Sequence, residues 1–185
     1  MFTRRRLPHW HPDVSAEAWL FVTWRLAGSL PKSRFTKNLA GGSACPTPGQ
    51  AFVTMDRAID KAVFGPVWLR DPRVAKVVAD AILHGETGRR FYQLRAWVIM
   101  PNHVHVLLQP KAPLPIITRW LKGSTARQAN LILDRTGEPF WQDESFDHLI
   151  RNDFEFDRIV RYVEHNPVSA GLVRKPTDWP WSSGR

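Results

Sequence analysis

The stretch Trp97-Val98-Ile99-Met100-Pro101-Asn102-His103-Val104-His105-Val106-Leu107-Leu108 leaves this chain few ways to fold. Its second half alternates: His103 and His105 point one way, and Val104, Val106 and Leu108 the other, the two-residue period of a β-strand. An apolar run precedes it, and Pro101-Asn102 between the two is a turn signal. The stretch therefore predicts an antiparallel hairpin with arms at Arg90 to Ile99 and His103 to Gln109. The aliphatic side chains would enter a core, and the two imidazoles would stand side by side on the opposite face. Two neutral imidazoles so placed form half of a metal site. A bare His-x-His is more often a pair on a polar sheet face, but the turn that sets His103 at the strand's start favours ligation.

Around this hairpin the chain has room for one domain with a real core and no clear internal boundary or repeat. Ala18 to Leu26, rich in aromatic and β-branched residues, predicts a first strand. From Gly28 to about Gln50 the chain is Gly-, Pro-, Ser- and Lys-rich without periodicity, which predicts a mobile loop tolerated as an insertion. Thr54 to Val63 predicts a short helix. Asp71-Pro72 is an N-cap followed by proline at the first helical position. Val74, Val77, Val78, Ala81 and Ile82 follow at helical spacing, and Gly85 is expected to close that helix. Leu114 to Leu121 predicts another helix, interrupted by the polar run Lys122 to Gln128 and resumed through Leu133. Phe140 to Gln142 predicts a short strand.

The 185 residues carry a net charge of +9, and such a surface attracts polyanions. Arg119, Lys122 and Arg127 are candidate phosphate contacts, with Ser124 and Thr125 as hydroxyl donors; an ordinary solvated helix face accounts for them equally well. Nine tryptophans and ten phenylalanines add rings that stack on unpaired bases where they are exposed. The single cysteine, Cys45, excludes an internal disulfide and fits a reducing compartment. No apolar run reaches membrane-spanning length, and the basic start lacks the apolar segment of a signal peptide. The expectation is a soluble cytoplasmic protein with no membrane partner.

Asn152-Asp153-Phe154-Glu155 has the spacing of a capping box and opens a helix expected to end at Pro167. Phe156, Ile159, Val160 and Val163 form its core stripe. Tyr162 falls off the centre of that stripe, on a flank with Glu155 and Arg158, and Asn166 follows one turn on. Read alone, such a tyrosine packs at a core edge with its hydroxyl in water.

Taken together, these segments resemble a known family. Ala96 to Leu108 resembles the His-hydrophobe-His region of single-strand tyrosine transposases. Phe140-Trp141-Gln142, Asp147 to Asn152, Arg161 to Val173 and Asp178-Trp179-Pro180-Trp181-Ser182-Ser183 are similar to the second half of the REP-associated branch, in the same order. The likeness runs from the first strand to the C-terminus and omits only the segment from Gly28 to Gln50. It implies an α+β, ferredoxin-like antiparallel sheet with packed helices and His103 and His105 on a central strand. It also implies that His103, His105 and Asn166 hold a divalent metal, Mg²⁺ or Mn²⁺, and that Tyr162 is the nucleophile. Asn166 stands where related insertion-sequence enzymes carry glutamine, the same amide on a longer stem. Arg151 and Arg158 join the candidate nucleic-acid contacts.

The implied activity is a metal-dependent single-strand DNA endonuclease and strand transferase, acting through a 5′-phosphotyrosine on single-stranded or hairpin DNA. The histidines must be neutral to bind metal, so activity should fall at acidic pH. Tyr92 is the one other tyrosine, and its place in a strand explains it sufficiently. Two alternatives stand beside this reading: a non-catalytic hairpin-binding relative, and a metallohydrolase that uses water. The resemblance leaves monomer and dimer open.

Overall fold

In the computed structural model the described residues are 18–29 and 65–185. The expected helix at Thr54 to Val63 and the segment from Leu30 to Gln50 lie outside them. The elements are β1 (Leu20–Arg25), α1 (Pro72–Thr87), β2 (Tyr92–Ile99), β3 (His103–Pro110), α2 (Leu114–Ile132), β4 (Phe146–Leu149) and α3 (Asp153–Ser169). The four strands form one antiparallel sheet in the order β2-β3-β1-β4. Strands β1 and β3 are therefore central, and the first six elements follow the split β-α-β pattern of ferredoxin-like folds.

Alternation divides the sheet into two faces with different covers. Val104, Val106 and Leu108 of β3 join Leu20, Val22 and Trp24 of β1 in a cluster packed by Val74, Val78 and Ile82 of α1 and by Ile117 and Leu121 of α2. On the other face Phe21, Leu107, Ala96 and Val98 pack against Ile159, Val160 and Val163 of α3. The histidine face is thus no polar surface; a helix covers it. In β2 the register shifts between Leu94 and Ala96, a bulge at Arg95. The extra residue lets Leu94 and Trp97 serve the same cluster although they lie three apart.

Helix α1 starts as expected, with Asp71 Oδ1 accepting from the Arg73 N–H at 2.9 Å and Pro72 at the first position. Gly85 does not close it. The helix runs on to Thr87, and Gly85 is buried because the Tyr92 side chain lies against it, its hydroxyl donating to the Ile82 carbonyl at 2.7 Å. Helix α2 is likewise unbroken through Lys122 to Gln128. Ser124 Oγ donates to the Trp120 carbonyl at 2.7 Å and Thr125 Oγ1 to that of Leu121 at 2.5 Å. Those hydroxyls are satisfied within the helix, which corrects their reading as phosphate donors.

Three further expectations change. Of Phe140 to Gln142, only Trp141 pairs, in an isolated bridge to Leu26. The fourth strand is instead Phe146–Leu149, four mixed residues whose pairing to β1 no periodicity announces. Helix α3 opens at Asn152, whose Oδ1 accepts from the Glu155 N–H at 2.9 Å, but it passes through Pro167 to Ser169. Asn166 therefore lies inside the helix and not at its exit. Proline lacks one N–H, and so close to the C-terminal end the turn it sits in is still closed by Ala170 N–H to Asn166 O and Leu172 N–H to Pro167 O, both 2.9 Å.

Candidate active site

The register of β3 with its neighbours builds the site. His105 is paired with Thr23 on β1 and Val98 on β2, and His103 with Arg25. Antiparallel partners share a face, so these residues lie on the side of the sheet that α3 packs against. Both imidazoles are fully buried. Their Nε2 atoms approach to 2.9 Å. Two ring nitrogens that share one divalent ion at about 2.1 Å from each, roughly at right angles, lie about 3 Å apart. The other nitrogens are held from behind: His103 Nδ1 lies 2.7 Å from Asn102 Oδ1, and His105 Nδ1 lies 2.7 Å from Thr23 Oγ1. Such outer contacts orient metal-binding imidazoles, so the pair fits a divalent cation.

Tyr162 lies over this face. Its ring centroid is 5.8 Å from that of His105 and 6.1 Å from that of Phe21, and Phe21 stacks on His105 at 5.4 Å. The core stripe of α3 brings this about: Ile159, Val160 and Val163 seat the helix on Phe21, Leu107 and Val98, and the flank bearing Tyr162 meets the imidazoles. Tyr162 is half-buried, and Asn166, one turn on, is 2% exposed. Among the described residues no third histidine, cysteine or carboxylate clusters with the pair. A further protein ligand would have to be of another chemistry, such as the Asn166 amide.

The family model described as Transposase IS200 like matches residues 72–166, just over half of the chain and all four of these side chains. The chain belongs to the IS200-like transposase family. It is similar to the REP-associated tyrosine transposase of Escherichia coli (strain K12), 30% identical over 111 residues, which are 58% of this chain and 63% of that one. A Haemophilus influenzae protein assigned provisionally to the same group is 32% identical over 107 residues, 50% of this chain and 58% of its own. The match therefore spans less than two thirds of either relative. In fold, the chain is similar to a solved REP-associated tyrosine transposase bound to a REP hairpin. The TM-score is 0.55 at 20% identity, over 96% of this chain and 82% of that one.

This transposase-family site gathers some of the expected cations and not others. Arg151 and Arg158 are exposed at the start of α3, on the side of the sheet that Tyr162 occupies. There Glu155 links them: its carboxylate accepts from His148 Nε2 and from the Arg151 N–H, both at 2.9 Å, with Arg158 3.7 Å away. Burial acts to raise the Glu155 carboxyl, but these hydrogen bonds and Arg158 outweigh it and hold it below the usual range. Arg119 and Arg127 are exposed on α2, which packs on the opposite face of the sheet. Lys122 does not serve as a phosphate contact in this arrangement. Its Nζ donates to the carbonyls of Gln142, Asp143 and Glu144 at 2.9, 3.0 and 3.1 Å. Burial pushes its amine down to about 8.

Two contributors carry no functional signal in the sequence. Thr23 reads as one more β-former and Asn102 as a turn residue. Thr23 alternates with Val22 and Trp24, but the strand it faces depends on pairing. Tyr92, the other tyrosine, is buried against α1 in the opposite layer, and burial pushes its hydroxyl well above the ordinary range. Glu164 and His165 are turned elsewhere, Glu164 to Arg95 at 3.9 Å and His165 to the Arg161 carbonyl at 3.1 Å.

Proposed function

We propose that this chain is a metal-dependent single-strand DNA endonuclease and strand transferase that acts on hairpin-forming repeats. The observation that carries the proposal is the position of the Tyr162 ring over His105, on the buried face where His103 and His105 converge. His103 and His105, with Asn166, would hold the cation, Mg²⁺ or Mn²⁺, which when bound polarises a phosphodiester and offsets charge on its oxygens.

The chain's own residues supply the rest. Tyr162 Oη attacks phosphorus in line, the bond from phosphorus to the 3′ oxygen breaks, and the departing 3′ oxygen takes up a proton. The phosphate stays on Tyr162 as a 5′-phosphotyrosine, and a second 3′-hydroxyl reverses the step to join new ends. Phe21 braces both the Tyr162 and His105 rings and so fixes their mutual placement. Arg151 and Arg158 would meet backbone phosphates on the approach to Tyr162, with Arg119 and Arg127 available to DNA that reaches the other face. The hairpin bound in the solved REP-associated tyrosine transposase supports hairpin DNA as the partner. A cytoplasmic location is part of the same reading; the structure adds that no helix among the described residues is long and apolar enough to cross a membrane.

The test is covalent capture. With Mn²⁺ and a single-stranded oligonucleotide bearing a hairpin, the protein should form an adduct stable to denaturing electrophoresis. Tyr162→Phe should form none while binding the same hairpin. Adduct from Tyr162→Phe would remove Tyr162 from its role. Cleavage without any adduct would favour water as nucleophile, and binding with neither would favour a non-catalytic module.

A further inference from the structure

We propose that the outward face of α3 is a seat for unpaired DNA: one base stacks on Phe154, the phosphates beside it meet Arg151 and Arg158, and the strand continues to Tyr162. The proposal rests on the reading that single-stranded DNA is the substrate. It names the side chain that tells an unpaired strand from a duplex.

Phe154 is 74% exposed, whereas every other aromatic residue among those described is buried or half-buried. At about 100° per residue it stands opposite Val163, the middle of the core stripe of α3, so packing does not account for it. A phenylalanine left in water forgoes about 1.5–3 kcal/mol that burial would supply, and a nucleobase laid on the ring covers it. Stacking needs a free base face. In a duplex the neighbouring pairs cover both faces, so only an unpaired strand gains from this ring, and any base can serve.

Spacing and charge lead from that ring to the nucleophile. Phe154, Arg158 and Tyr162 lie four residues apart, and each step of four turns the face by about 40°. They trace a shallow spiral about 12 Å long, from the outer surface of α3 to the flank over His105. Arg151 stands at its head, because the bond from its N–H to Glu155 at 2.9 Å fixes its backbone on the Tyr162 side of the helix. The Arg158 side chain is 63% exposed although Glu155 lies 3.7 Å away, so its guanidinium can meet a phosphate. The exposed carboxylates Asp153 and Asp157 fall on the other side of Phe154. An anionic strand is drawn to the arginine side and turned away from the other.

The experiment measures binding of two DNAs to the full chain by fluorescence anisotropy: a hairpin with unpaired flanks, and a blunt duplex of the same length. Phe154→Ala should weaken binding of the first by about 5- to 100-fold and leave the second unchanged, while Phe154→Tyr stays close to wild type. An abasic nucleotide at one position of the flank should weaken wild-type binding and cost Phe154→Ala nothing further. Arg158→Gln should instead flatten the salt dependence, by about 0.7 in the slope of log Kd against log salt, which Phe154→Ala leaves as it is. Wild-type affinity in Phe154→Ala, or equal losses on both DNAs, overturns the proposal; adduct formation by the wild type would then leave the chemistry at Tyr162 standing. An unchanged slope in Arg158→Gln overturns the phosphate contact. A fall in molecular mass on Phe154→Ala in sedimentation would make this face an interface between copies of the chain, and overturns the proposal as well. Wild type that binds neither DNA overturns both this proposal and the reading it rests on.

Discussion

Lys122 shows how a residue's role is decided by where its atoms end. Its sequence neighbourhood is polar and basic, which suits a phosphate contact, yet its amine ties helix α2 to the three carbonyls ahead of β4. Replacing it with methionine keeps the stem and strands those carbonyls, which should cost about 1–3 kcal/mol in urea unfolding. The pH dependence has a definite sign. The folded amine titrates at about 8 against an ordinary 10.5. Below pH 8 both states hold the proton, and the folded state bears the full cost of desolvating it. Between pH 8 and 10.5 the folded state gives the proton up while the unfolded state keeps it, so stability rises with pH. The gap in urea midpoint between wild type and Lys122→Met should therefore widen from pH 7 to pH 10; a gap that narrows would mean the amine stays charged through that window.

Among the elements, α1 and β2 meet where a glycine makes room for a ring. A Cβ on Gly85 would fall far inside contact distance of the Tyr92 hydroxyl and ring, which are buried and cannot retreat. A Cβ on Gly88 would meet only the His84 ring, the end of an exposed side chain that can swing aside. Overpacking of a filled core typically costs about 1–3 kcal/mol, or several degrees of melting temperature at this size. Gly85→Ala should lower the melting temperature by that much, and Gly88→Ala should scarcely move it. Equal shifts would show that the Tyr92 contact is not what holds Gly85. Periodicity was a good guide to the start and inner face of α1. It missed the end, because Gly85 is chosen by its neighbour in space and not by the conformation of its own backbone.

In the molecule as a whole, the last residues complete the sheet. The Ile99 N–H donates to the Trp181 carbonyl and the Ser183 N–H to the Trp97 carbonyl, both at 2.9 Å, while Trp179 Nε1 donates to the Ile99 carbonyl at 3.0 Å. Together they cover the outer edge of β2 opposite β3, an edge that would otherwise be open to another chain. Deleting residues 177–185 should lower the melting temperature, promote association seen by size-exclusion chromatography, and reduce adduct formation, since β2 backs the strand carrying His103 and His105. A truncated chain with the intact chain's elution volume and full activity would show that the tail only decorates the edge.

The alternation of the hairpin, the cap and stripe of the late helix, and the order of segments along the chain were all local signals. They were enough to predict two arms of the sheet, the helices at Pro72, Leu114 and Asp153, and His103 and His105 as a candidate ligand pair; Tyr162 and Asn166 became candidates only through the family resemblance. Local pattern could not say which strand lies beside which, because pairing is a contact between distant residues and leaves no period in either one. Tertiary structure decided that β1 pairs with β3, and with it that Thr23 stands behind His105 and Arg25 beside His103. It also decided that α3 covers the histidine face while α1 and α2 cover the other, which sets Tyr162 over His105 and leaves Arg119 and Arg127 on the far side. The chemistry was written in residue types; its assembly came from burial, which fixes faces, and from strand register, which fixes neighbours.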